Sequence, residues 1–269
     1  MDIIKRNFFR LLRSGALNEY EDLEPMSAFK WNRMFEMIKA QGVVDMALKG
    51  LKNHTFDANA NIPKHLIDEL GAMATDGENK PNAALPQLSN RFLNKRLKKI
   101  QTSERHQMDA SMTTLDLLNI IVRNVEQILN RGISLKGIAE LGSFLRTRGD
   151  KVDFVKLENW LSHLHIERMA QLEGSILIDV FEFEPAEVPF VKNVEKQAYA
   201  LTLRTLTHTE EDTAKEWHFR QDKTGFVHNN SAQLRRNLRR SIRYIDYAPL
   251  ETASNFINNF AKNLSEIEE

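Results

Sequence analysis

Apolar residues recur along this chain at the three-to-four-residue spacing of a helix face. Ile4, Phe8, Leu11 and Leu12 share one such face, and Trp31, Met34, Phe35 and Ile38 share a second. The pattern returns in Leu118, Ile121, Val122 and Val125. It returns again in Leu157, Trp160, Leu161 and Leu164, a stripe that Met169, Leu172 and Ile176 carry onward as one helix. Leu234, Leu238, Ile242 and Ile245 make the last stripe. Side chains three and four apart lie above one another on a helix, so each series predicts an amphipathic helix. Only ILIDVFEFE, residues 176–184, also reads as a strand. Its period is mixed and it continues a helical stripe, so helix is the preferred reading.

Breakers fall between the stripes. NEYEDLEPMS (18–27) separates the first two helices, and NHTFDANANIP (53–63) closes the second helical group. TDGENKPNAALP (75–86), with Gly, Asn and two prolines, is the most loop-like stretch and the best candidate boundary. FEPAEVPF (183–190) interrupts the long helix, and DKTGFVHNNS (222–231) precedes a basic one. The expectation is an all-α fold, a helical bundle in two packed groups with at most a minor β element. The N-terminal group spans 1–75, a loop or linker 76–90, and a larger C-terminal bundle 91–269. Eleven glycines and seven prolines are few for this length and favour the same conclusion.

Charge adds little to this picture. Lys+Arg and Asp+Glu balance at 37 each, so no global field points to nucleic acid or an acidic membrane. Cysteine is absent, which removes disulfides, thiolate metal sites and cysteine nucleophiles. MDIIKRNFFRLLRSG is too short and interrupted for a signal peptide or span, and no apolar run of about 18 residues follows. A cytoplasmic protein without a membrane partner is expected.

Most chemical signatures are missing. His163 and His165 are two apart, which on a helix points them to nearly opposite sides, and no His-Glu-x-x-His motif exists. There is no Gly-x-x-x-x-Gly-Lys loop, no Gly-x-Gly-x-x-Gly and no Gly-x-Ser-x-Gly. The run QLRRNLRRSIRY (233–244) is more informative. Arg235, Arg236, Arg239, Arg240 and Arg243 lie opposite Leu234, Leu238 and Ile242 with no acid among them. Their forks suit phosphates or acidic partners. The plainer reading is a solvated face balanced by acids such as Glu266, Glu268 and Glu269, and interleaved aromatics that would mark a nucleic-acid site are lacking.

GISLKGIAELGSFLRTRGDKVDF, residues 132–154, has two readings. As a site, Lys136, Asp150 and Asp153 would hold magnesium and a nucleoside triphosphate for nucleotidyl transfer. As architecture, it is one helix, a turn at Gly149, and a second helix capped by Asp150 or Asp153. Paired metal-binding carboxylates on a strand need a spacing of two to share a side, and Asp150 and Asp153 are three apart. That spacing fits an N-cap followed by Phe154, Leu157, Trp160 and Leu161. The architectural reading prevails, with Leu135, Ile138 and Leu145 facing a core.

Both ends of the chain resemble the uncharacterised nucleotidyltransferase family of the polymerase-β superfamily. Its members have helical sections on either side of a mixed α/β catalytic core. FFRLLRSGAL (8–17) and FKWNRMFEMIKAQGVVDMALKGL (29–51) are similar to the first helical section. LLNIIVRNVEQILNRGISLKGIAELGSFLRTRGDKVDFVKL (117–157), FEFEPAEVPF (181–190) and LRRNLRRSIRYIDYAPLET (234–252) are similar to the second. The segment between, 86–116, is too short and polar for the catalytic sheet and reads as a basic helix around Arg91–Ile100 plus a connector. The resemblance therefore implies a relative that keeps the helical flanks without the catalytic centre. It implies a non-catalytic helical protein with no cofactor, acting through protein contacts as an accessory or regulatory partner. The two alternatives are an active magnesium-dependent nucleotidyltransferase using Asp150 and Asp153, and a nucleic-acid or phosphate binder using the Arg235–Arg243 helix.

Overall fold

In the computed structural model, residues 2–57, 60–75, 84–104, 111–206 and 230–265 are described. Their regular structure is helical throughout, with no strand among them, so the all-α expectation holds. The N-terminal section comprises α1 (Ile3–Leu17), α2 (Ala28–Gln41), α3 (Val44–Asn53) and α4 (Lys64–Thr75). Then follow α5 (Arg91–Glu104), α6 (Ser111–Asn130), α7 (Leu135–Arg148), α8 (Phe154–His163) and α9 (Glu167–Phe181). Residues 198–206 are helical, α10, and the last two helices are α11 (Asn230–Tyr244) and α12 (Pro249–Ser265). Of the expected linker, 76–83 lies outside the described residues and 84–90 has no regular structure. Most of the expected 222–231 break also lies outside them.

The core forms where the stripes predict it. Phe8, Leu11, Leu12, Met34, Ile121, Val122 and Val125 are fully buried, and α6 supplies the central apolar wall. α1 packs mainly on α3 and also reaches α7 and α9. The α1–α3 crossing is close enough that a Cβ on Gly15 would collide with the Met46 carbonyl, and one on Gly50 with that of Leu11. Only glycine lets two helix backbones meet so closely. The acidic connector 18–27 runs back along α1. Arg6 donates to Glu24 at 2.7 Å, and Arg13 pairs with Glu21 and donates to the Val180 carbonyl at 3.0 Å. Hydrogen bonding from Arg6 holds the Glu24 carboxyl below its ordinary range.

Two local expectations change. The stripe from Leu157 to Ile176 is not one helix: α8 ends at His163, and His165 adopts φ 53° before α9 begins. The apolar phase carries across the break, which is why spacing alone joins the two. His163 and His165 therefore do not share a helix. The 176–184 segment stays helical to Phe181, after which Glu182 turns left-handed at φ 57°.

Candidate docking face on the last two helices

α11 and α12 are packed against each other and against α6 with their polar sides inward. On α12, Glu251, Thr252 and Asn255 are buried, while Leu250, Ile257 and Phe260 are exposed. On α11, Tyr244 is buried while Leu238 and Ile242 face solvent, roughly a third to almost half a turn away, and Ile245 is exposed in the turn that follows. Ile242 is 64% exposed and Ile257 63%. The side chain of Leu234, the first member of the stripe, lies outside the described set.

The inward polar side has a definite task. Glu251 accepts hydrogen bonds from the backbone N–H groups of Ser89 and Asn90, the latter at 2.9 Å, at the entry to α5. Asn90 accepts in turn from Phe92 N–H and Leu93 N–H, and donates to Ser254 at 2.9 Å. Arg240 donates to the Asn130 carbonyl at the end of α6, and Asn259 donates to the Asn130 side chain at 3.1 Å. Helix ends leave backbone donors and acceptors without intrahelical partners, and a buried end needs side chains to satisfy them. α11 and α12 supply those side chains for the start of α5 and the end of α6, which turns their apolar stripes outward. Burial raises the Glu251 carboxyl, opposed by the N–H groups of Asn90 and Ser89.

The five arginines divide accordingly. Arg240 points inward to α6, Arg243 is half-buried, and Arg235, Arg236 and Arg239 are exposed. They do not form one solvated face opposite the apolar stripe. Arg235 and Arg239 have no ion pair or hydrogen bond among the described residues. By contrast, Arg146 pairs with Glu19 and Glu187, and Arg168 with Glu195 at 2.8 Å. Glu266, Glu268 and Glu269 lie outside the described residues. The outcome is an apolar strip bordered by Arg235 and Arg239, unmatched among the described residues.

The alternative site residues are placed differently. Lys136 is exposed in the first turn of α7, and Asp150 is exposed in the 3-10 turn Gly149–Lys151 beyond its end. About 20 Å of helix separates them. Asp153 is the N-cap of α8, accepting from Lys156 N–H at 2.9 Å. Residues 132–154 are thus a helix, a turn and a helix, with Leu135, Ile138 and Leu145 buried. Gly149 ends α7 with φ −60°, without the left-handed conformation its glycine permits. No group of three or more His, Asp or Glu side chains among the described residues is placed to hold a metal ion. No helix among them is long and apolar enough to cross a membrane. No protein-family model, curated protein or solved structure matches the chain.

Proposed function

We propose that this chain is a non-catalytic helical protein that works by contact, and that the outward face of α11 and α12 docks an acidic amphipathic helix of a protein partner. The observation that carries the reading is the inversion of these two helices. Their polar sides cap α5 and α6, so Leu238, Ile242, Ile257 and Phe260 stay exposed beside Arg235 and Arg239. Contiguous exposed apolar surface rimmed by polar residues marks interaction sites. An amphipathic helix with carboxylates along its edge would bury the strip and meet the forks of Arg235 and Arg239. A second copy of this chain fits less well, because it would set arginine against arginine. The likeness of both chain ends to the helical flanks of nucleotidyltransferases makes an active member of that group the natural partner, with this chain as its accessory.

A photoreactive residue at position 242 tests this in producing cells, with position 56, where Phe56 is 98% exposed, as control. The expected product is a crosslink to an acidic helical segment of another protein, lost on Arg235→Ala/Arg239→Ala and weakened by salt. Crosslinks to lipid, to nucleic acid or to a second copy of this chain, or a yield no greater than at position 56, overturn the proposal.

A further inference from the structure

An open cleft of about 360 Å³ lies between one flank of α6, the end of α7 and the irregular segment before α5. Asp116, Asn119 and Arg123 stand on one side of α6, and Phe144 and Arg148 stand one turn apart on α7, with Pro86 at the rim. One buried amide on α5 ties the irregular segment to α6. Gln101 donates to the Pro86 carbonyl at 3.2 Å and to Asn119 Oδ1 at 3.0 Å. With its oxygen engaged, Asn119 keeps its Nδ2 donor without an acceptor among the described residues.

The charges in the cleft are poorly matched. Arg123 is half-buried and has no ion pair or hydrogen bond among the described residues. Arg148 comes no nearer to Asp116 than 3.8 Å, and its guanidinium carbon lies 5.8 Å from the centre of the Phe144 ring. Burial pushes the Asp116 carboxyl up, opposed by the charge of Arg148. Two arginine forks, one amide donor and a flat aromatic wall converge on a space of ligand-binding size.

We propose that this cleft binds a small organic anion carried on a flat apolar ring, an aryl carboxylate or an aryl phosphate. The anion lies between Arg123 and Arg148 and takes the Asn119 donor, and the ring lies against Phe144 and Pro86. Planar arginine forks recognise both carboxylate and phosphate oxygens in pairs, so the two head groups share one chemistry. The site is independent of the α11–α12 face.

The test is titration of the ¹⁵N-labelled full chain with benzoate, phenyl phosphate and benzyl alcohol at constant ionic strength. Saturable shifts confined to amides around the cleft are expected with an anion and not with the alcohol, and the tighter of the two anions identifies the head group. Arg148→Gln changes a side chain that is 59% exposed and leaves folding intact. It should weaken binding about tenfold or more, as should Arg123→Gln, while Arg235→Gln leaves the affinity unchanged. No saturable response to either anion, an equal response to benzyl alcohol, or full affinity in Arg148→Gln overturns the proposal. If Arg123→Gln fails to fold, the Arg148 result decides alone.

Discussion

Glu173 is fully buried where α6, α7 and α9 meet. Asn124 Nδ2 donates to Glu173 Oε2 at 3.0 Å and to the Gly137 carbonyl at 3.1 Å, while Glu173 Oε1 and Gln127 Oε1 are buried without a partner among the described residues. Burial pushes the Glu173 carboxyl well above its ordinary value of 4.5. The folded protein therefore keeps this proton over a pH range in which the unfolded chain has lost it. Its stabilising contribution is complete below about pH 4.5 and is lost as pH rises toward the folded value. Glu173→Gln abolishes that dependence. Its melting temperature should match the parent near about pH 4 and exceed it by a growing margin toward about pH 8. A margin that does not change with pH would contradict this assignment. Helical spacing puts Glu173 on the stripe of Met169, Leu172 and Ile176, but its carboxyl group disguises the position. It follows Leu172 within an apolar stripe, and only the closure of α6 and α7 over α9 decides its surroundings.

Helices were legible where sequence and packing agree. The stripes of α1, α2 and α6 bury the residues their periodicity selects, and the aspartate spacing correctly placed a cap before Phe154. Asp153→Ala should cost about 1 kcal/mol in urea unfolding, since it removes the hydrogen bond to Lys156 N–H. Asp150→Ala, exposed and outside that cap, should stay within about 0.5 kcal/mol. Equal effects at the two positions would remove the distinction between them. The sequence reading failed where two elements share an apolar phase, as across His165, and where a helix packs by its polar side, as in α11. Amphipathicity separates two sides of a helix, but which side turns inward depends on what the neighbours need. Here the need was for capping groups at α5 and α6. The arginines of the candidate face were visible in the sequence; their division into one inward, one half-buried and three outward side chains was not.

The whole molecule is held together by contacts between residues far apart in the chain, and these were beyond the reach of local patterns. The Glu251 carboxylate ties α12 to the start of α5 across more than 160 residues. Glu251→Ala should strip two partly buried N–H groups of their acceptor and destabilise the protein by about 1–3 kcal/mol. Hydrogen exchange should then speed up at Asn90 and along α12 before it does so in α6. Uniform acceleration through α6 would show that this seam is not a separate opening unit. The cleft at Arg123 and Arg148 was illegible for the same reason, because its walls come from three segments that meet only in the fold. The glycine crossing of α1 and α3 bears on synthesis. By the time residue 53 has emerged, α1 has α2 and α3 to pack against, with Gly15 and Leu11 laid on α3. The other surfaces α1 needs, on α7 and α9, and the Val180 carbonyl that receives Arg13 arrive more than 80 residues later. At about ten residues per second, that leaves the nascent amino-terminal pair half-covered for on the order of ten seconds on the ribosome. Gly15 and Gly50 thus let α1 and α3 close on each other before α7 and α9 have been made.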